Sequence, residues 1–299
     1  MQAPTALLVD ASSLIYRAFF STPETIRAPD GMQVNAAHGF INMLARLVAD
    51  RDPGLLACGT DVDWRPQWRV DLIPGYKTHR LDLPAVPQLD AQMPVIEELV
   101  AECGVAVVGC PGYEAEDVIG ALVPRCPGKV EIVSGDRDLF QLVGDPDVTV
   151  LYPKRGVTDM VTVDEAYVAN KYGIGGRAYG DFALLRGDTS DGLPGVPGIG
   201  EKTAALLISR YGSLQAVIDA AQESDGAGSL GKVKRSLDYL RKASSVVLIS
   251  ADIPVPEVDL ARPRNEPGPE VYKKAERYGL RNAVTRLVAA LTRSVQTAG

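Results

Sequence analysis

The sequence predicts an α/β fold, a mainly parallel sheet flanked by helices and followed by a helical region. Short apolar runs at 5–10, 55–61, 105–108 and 129–135 alternate with segments of helical periodicity, as parallel strands joined by crossover helices require. After about Tyr172 the pattern turns almost wholly helical. In a sheet of this kind the functional groups collect at the C-terminal ends of the strands.

Taken in order, residues 5–10 form a buried strand that delivers Asp10, and Ser12 and Ser13 then cap a helical pattern running through Phe20. Residues 35–50 make an amphipathic helix with Phe40, Ile41, Leu44, Leu47 and Val48 inward, and the next strand ends at Asp61. Residues 64–89 carry prolines at 66, 74, 84 and 87 and both tryptophans, which leaves a connecting segment or mobile cover. Helical periodicity returns over 89–103 and stops at Gly104; the strand 105–108 and a helix opening on Glu114, Glu116 and Asp117 follow. The strand 129–135 ends in Asp136-Arg137-Asp138, and a fifth strand is expected at 148–152. Helices are expected at 177–185, 201–210, 214–221 and 232–243, with two closing segments within 272–293 and a flexible loop at 222–229. The domain division falls near 172, giving a core of 1–172 and a helical region of 173–299.

A chain of 299 residues, 46% hydrophobic and 23% charged, can bury a sizeable core. Residues 1–5 lack the basic flank and apolar run of a secretory signal, and no apolar stretch approaches the ~20 residues of a membrane span, so a cytoplasmic protein without a membrane partner is expected. Cys58, Cys103, Cys110 and Cys126 lack CxxC spacing and read as reduced, buried thiols. With only His38 and His79 there is little material for a zinc site or a Ser/His/Asp triad, so a metal would be bound by oxygen. The net charge of −7 argues against a nucleic-acid partner. Setting apart the nine acids named below, however, leaves 29 acids against 31 basic residues. Bases also cluster, as Arg65, Arg69, Lys77 and Arg80; as Lys232, Lys234, Arg235, Arg241 and Lys242; and as Lys273, Lys274, Arg277, Arg281 and Arg286.

Chemistry is concentrated in residues 187–204. Asp188 and Asp191 are hard carboxylates of the kind that suit Mg²⁺ or Mn²⁺, and the glycines at 195, 198 and 200 expose amides at a helix N-terminus, where phosphate oxygens bind. A metal beside a gripped phosphodiester suggests a nuclease. The plain alternative is a polar turn followed by a Gly/Pro loop that starts an ordinary helix. Further acids recur at one topological place: Asp10, Asp61, the Glu114/Glu116/Asp117 helix start and Asp136/Asp138. Singly, each is accounted for as a cap or a response to the helix dipole. Together they crowd one sheet edge, which is unfavourable unless cations neutralise them.

Five motifs in order, LVD with YRAF at 16–19, YKTHR at 76–80, GYEAED at 112–117, SGDRDL at 134–139 and RGDTSDGLPG at 186–195, resemble those of the bacterial 5′–3′ exonuclease/flap endonuclease family, which includes the 5′-nuclease domain of DNA polymerase I. The resemblance runs to about residue 260 and leaves no room for a polymerase, so it implies a stand-alone nuclease with a PIN-like core, a helical arch at about 64–90 and a helix-hairpin-helix-type module at about 183–212. It implies 5′-flap endonuclease and 5′–3′ exonuclease activity in DNA replication and repair, by a two-metal mechanism with ions roughly 3.5–4 Å apart. Asp10, Asp61, Glu114, Glu116 and Asp117 would surround the first ion, Asp136 and Asp138 would lie between the sites, and Asp188 and Asp191 would surround the second. Glu116 stands where many relatives have Asp, and its longer reach favours a water-mediated role. Asp61 is preferred over Asp63 as the strand-end ligand because it ends the apolar run.

The same resemblance makes Lys77 and Arg80 a cationic gateway for a 5′ single strand, with Lys77 at the scissile phosphate and Tyr76 stacking on a base. Arg17 and Arg69 would contact phosphates, and Gly195, Gly198, Gly200 and Lys202 would grip the duplex, with K⁺ between hairpin carbonyls and a phosphate. Such contacts position without reading bases, so the expected partner is DNA with 5′ flaps, nicks or 5′ single-stranded ends, bound by a monomer. Two other readings stay open: a DNA-junction-binding scaffold that has lost cleavage, and a ribonuclease acting on RNA–DNA hybrids. Acids for both metal sites weigh against the first, and the glycine hairpin with YKTHR weighs against the second.

Overall fold

A computed structural model describes residues 5–81, 86–145 and 147–293. The leader expectation for residues 1–5 and Pro84 of the arch therefore fall wholly or mostly outside the described residues.

Five parallel strands and one antiparallel strand make a single sheet of order β3-β2-β1-β4-β5-β6: β1 Ala6–Asp10, β2 Leu55–Gly59, β3 Ala106–Val108, β4 Val130–Val133, β5 Val148–Pro153 and β6 Met160–Val163. β1 is apolar at every position before Asp10 because both of its faces are covered. Its side chains alternate between two cores, Leu7 and Val9 joining one and Ala6 and Leu8 the other. The register sets Asp10 against Gly59 and Val9 against Val133, so β1, β2 and β4 end level with one another. β6, an edge strand of four residues that is half-exposed over most of its length, was not foreseen; it is too short for its alternation to stand out.

The helices are α1 Ala11–Ser21, α2 Asn35–Arg51, α3 Gln67–Leu72, α4 Pro87–Asp90, α5 Met93–Glu102, α6 Ala115–Leu122, α7 Glu165–Tyr172, α8 Tyr179–Arg186, α9 Glu201–Tyr211, α10 Leu214–Glu223, α11 Gly228–Arg235, α12 Leu237–Val247, α13 Pro269–Arg277 and α14 Arg281–Thr292. The expected helix over 89–103 is two, α4 and α5, because Pro94 in the first turn of α5 has no amide to continue a helix from before it. The expected helix over 232–243 likewise breaks at Ser236. The arch segment carries α3, a single 3-10 turn over Thr78–Arg80 and α4.

One core packs α1, α2 and α5 beneath the sheet and the other packs α6, α8, α9, α10 and α12 above it. The last two helices, beyond the expected division near 172, return to the first of these: Val271, Ala275, Val284, Leu287 and Leu291 pack with Leu7, Phe40 and Leu44. Among the described residues no helix is long and apolar enough to cross a membrane.

Candidate active site

The acids expected at the sheet edge are brought together there. Asp10 caps α1, accepting the Ser13 amide at 3.0 Å while Ser134 donates its hydroxyl to the other oxygen. Burial pushes the Asp10 carboxyl up to about 8, and repulsion from Asp61 and Asp136 adds to it. Asp61 accepts the Ala115 amide at 2.7 Å, and burial followed by repulsion from Glu116 raises its pKa. Asp63 instead accepts the Gly112 amide at 2.9 Å on the exposed rim, so of the two it is Asp61 that faces the cluster. Asp136 and Asp138 lie in the turn after β4, joined by a 2.9 Å bond from the Asp138 amide to Asp136 Oδ1. Burial lifts Asp136 to about 6, and burial with repulsion from Asp136 and Asp191 raises Asp138 well above the usual carboxylate range.

The Asp188-to-Asp191 loop closes the cluster from the far side. Asp188 accepts the Ser190 amide at 2.8 Å and Arg186 Nη2 at 3.1 Å, so the loop is held as a turn. Gly192 sits at φ +70, where a Cβ would lie 2.6 Å from the Gly75 carbonyl oxygen; the absent side chain lets the arch segment seat directly on this loop. There the Lys77 amide donates to the Asp191 carbonyl at 2.8 Å, and Arg80 donates to the Ser190 carbonyl and to Asp191 Oδ1 at 2.9 and 3.0 Å.

Two expected DNA contacts lie elsewhere than the sequence suggested. Arg69, expected on a phosphate, is 1% exposed and turned inward onto Glu114, Glu116 and Asp117. Tyr76, expected to stack on a base, is equally buried and donates its hydroxyl to Glu114 at 2.5 Å. The acids α6 presents are the reason: a buried carboxylate group draws in whatever cation and donor the adjoining segment offers. Lys77 pairs with Glu114 and lies 3.9 Å from Asp191. Burial works against its charge, but Glu116, Asp191 and Glu114 outweigh it and raise its pKa. Arg17 is half-buried and packs over Gly135, where a Cβ would meet its guanidinium at 2.4 Å.

In this arrangement no three of the acids converge on one point among the described residues, and Arg69, Lys77 and Arg80 occupy Glu114, Glu116, Asp117 and Asp191. The donor set nevertheless fits a hard divalent cation. It is all carboxylate oxygen, and burial and mutual repulsion raise Asp10, Asp61, Asp136 and Asp138 together, a cost that a divalent charge would remove.

Beyond this loop the chain makes a hairpin into α9. Gly195 and Gly198 both have positive φ, and Gly200 is the N-cap with no side-chain hydrogen bond and open space around it, leaving the first amides of α9 free for an anion. Lys202 is exposed in the first turn. Sequence reading missed Lys232 as a member of this site: from α11 its ammonium donates to the Gly198 carbonyl at 2.8 Å. Its neighbours in the same basic run are spent on loop carbonyls, Lys234 on Gln222 and Ser224, so the run itself gave no signal of which lysine faces the hairpin.

Comparison with known proteins identifies the family. The 5′-3′ exonuclease N-terminal resolvase-like domain matches residues 5–173, and the 5′-3′ exonuclease C-terminal SAM fold matches 174–267. The chain belongs to the 5′-3′ exonuclease family. It is 45% identical over 300 residues to a 5′-3′ exonuclease of Streptomyces coelicolor, covering 96% of this chain and all of that one. A 5′-3′ exonuclease of Mycobacterium tuberculosis is 42% identical, with 97% and 98% covered. The DNA polymerase I of the same organism is 42% identical over 72% of this chain, which spans 24% of that protein. Among solved structures, the T5 D15 protein co-crystallised with metal ions shares the fold at TM-score 0.67 and 14% identity, covering 96% of this chain and 98% of that one. The catalytic core of Rad2 in complex with DNA substrate shares it at TM-score 0.55 and 17% identity, with 97% and 92% covered.

Proposed function

We propose that this member of the 5′-3′ exonuclease family is a divalent-metal-dependent, structure-specific nuclease that hydrolyses DNA at 5′ flaps, nicks and 5′ single-stranded ends. The observation that carries the reading is the meeting of three separate parts of the chain at one place. Acids from the ends of β1, β2 and β4 and the start of α6 face Asp188 and Asp191, Lys77 bridges the two sets through Glu114 and Asp191, and Arg80 holds Asp191 beside it. Residues 1–172 would serve as the nuclease core with its arch at 64–90, and 173–299 would supply the duplex-binding hairpin.

Mg²⁺ or Mn²⁺, when bound, would supply an activated water and neutralise charge at the phosphodiester. The chain's own residues hold and orient the reactants. Asp10, Asp61, Glu114, Glu116, Asp117, Asp136, Asp138, Asp188 and Asp191 would be the carboxylates from which two such ions draw their ligands. Lys77, almost excluded from water, would stabilise charge developing on the scissile phosphate, where a low-dielectric surrounding makes its ammonium count for more. Arg80, half-exposed beside Asp191, would guide the strand entering from solvent. The Gly195–Gly200 hairpin with Lys202 would hold the duplex by its backbone; K⁺ between hairpin carbonyls and a phosphate belongs to the same proposal, as do action as a monomer and cutting of RNA in RNA–DNA hybrids.

A 5′-flap substrate incubated with Mg²⁺ or Mn²⁺ tests this reading. Cleavage by the wild type, lost in Asp136→Asn and Asp188→Asn with flap binding retained, is the expected outcome. Wild-type chain that binds flaps and never cuts them with either metal would leave a DNA-binding scaffold.

A further inference from the structure

Arg69 comes from the arch segment yet lies in the floor of the acidic site. Its Nη1 contacts Glu114 and lies 3.1 Å from Glu116 Oε1, and its Nη2 lies 2.8 and 3.0 Å from the two oxygens of Asp117. Trp68 and Tyr76 cover the guanidinium, with ring centroids 5.1 and 5.8 Å from Cζ. Glu114 and Asp117 have further fixed duties. Glu114 caps α6 and takes the Tyr76 hydroxyl; Asp117 accepts the Ser250 amide at 2.9 Å and the Glu114 amide at 3.4 Å. Asp10, Asp61, Asp136 and Asp138, by contrast, enter no ion pair among the described residues.

We propose that Arg69 is a built-in counter-ion of the metal site, which keeps Glu114 and Asp117 as anchors for the arch and leaves the divalent ions to Asp10, Asp61, Glu116, Asp136, Asp138, Asp188 and Asp191. The inference rests on the two-metal reading above and narrows its ligand set. A guanidinium locked in a buried fork is costly to unpair, and an ion approaching Glu114 or Asp117 would meet its charge. Glu116 differs from its two neighbours: its side chain is 15% exposed, and it holds Arg69 by a single bond, so it can turn to an ion. Arg69 is thus a positioning residue. It pins α3 and Tyr76 to α6, and through them sets where Lys77 emerges between Glu114 and Asp191.

Mn²⁺ binding to the full chain without DNA, read by titration calorimetry and by the paramagnetic signal of free Mn²⁺, tests the assignment. Asp117→Asn is expected to keep wild-type stoichiometry and an affinity within about twofold, whereas Asp136→Asn weakens Mn²⁺ by about tenfold or more. Arg69→Gln opens two buried carboxylates and should bind Mn²⁺ several-fold more tightly, with residues 67–80 cut faster by protease; Arg69→Lys should fall between it and the wild type. Equal loss in Asp117→Asn and Asp136→Asn, or unchanged Mn²⁺ affinity in a folded Arg69→Gln, overturns the inference. If Arg69→Gln does not fold, Asp117→Asn and Glu114→Gln decide. A wild type that binds Mn²⁺ while the variants contradict these expectations leaves the two-metal reading standing; a wild type that binds none removes both.

Discussion

Lys77 and Glu114, 37 residues apart in sequence, form a buried ion pair, and the same ammonium lies 3.9 Å from Asp191. Lys77 sits at φ 49, a left-handed conformation that a residue with a Cβ adopts at a cost. The hydrogen bond its backbone N–H donates to the Asp191 carbonyl holds that conformation. The backbone is thus bent so that one cation serves both halves of the acidic site. Lys77→Ala should lower single-turnover cleavage of a flap by about 10²–10³-fold, the range for removing one transition-state donor. Flap affinity in Ca²⁺ should change only a few-fold. Equal losses in rate and affinity would instead make Lys77 a general DNA contact.

Metal-free stability should depend on pH in an unusual direction. Burial raises the carboxyl of Asp10 to about 8 and that of Asp136 to about 6, against about 4 in an unfolded chain. Between pH 4 and pH 8 the folded chain therefore keeps protons that the unfolded chain has released, and stability falls as pH rises through that window. Melting temperature in EDTA should drop from pH 5 to pH 8. The gain on adding Mg²⁺ or Mn²⁺ should be larger at pH 8, where the acids are ionised and available. A melting temperature in EDTA that climbs over the same interval would contradict the burial of these groups.

The strand ends were legible because each apolar run terminates in its acid, and the parallel register needs nothing more to set Asp10 level with the acids after β2 and β4. Spacing also singled out Asp188 and Asp191, which lie in the loop that meets Lys77 and Arg80. What could not be read was direction. Arg69 and Arg80 belong to one basic band, yet one is buried under α6 and the other reaches Asp191 from a half-exposed position; nothing local distinguishes them before α6 is in place. Lys232 was hidden for the same reason, since its partner is a carbonyl 34 residues upstream.

Gly195 offers a test of the hairpin's construction. It has φ +65, and a Cβ there would lie 2.4 Å from the Gly187 amide nitrogen and 2.7 Å from the Arg186 carbonyl oxygen, both rigid backbone. Gly195→Ala combines left-handed strain with a steric clash that no side-chain rotation relieves, so a loss of about 1–3 kcal/mol is expected in urea unfolding. Gly200→Ala meets open space and has no positive φ, so it should cost little by the same measurement.

Lys232 should matter to binding and not to chemistry. One of its three donors is committed to the Gly198 carbonyl, which leaves two for a duplex phosphate held at the hairpin. Its position depends on Gly198, because a Cβ there would stand 2.9 Å from the ammonium nitrogen. Lys232→Met should weaken binding of a duplex-bearing flap about uniformly across sequences and reduce the slope of log affinity against log salt by about 1. Cleavage at saturating DNA should be unaffected. A Lys232→Met chain with the wild-type salt slope would place the ammonium in the architecture of the hairpin alone, bracing Gly198 as Lys234 braces the loop after α10.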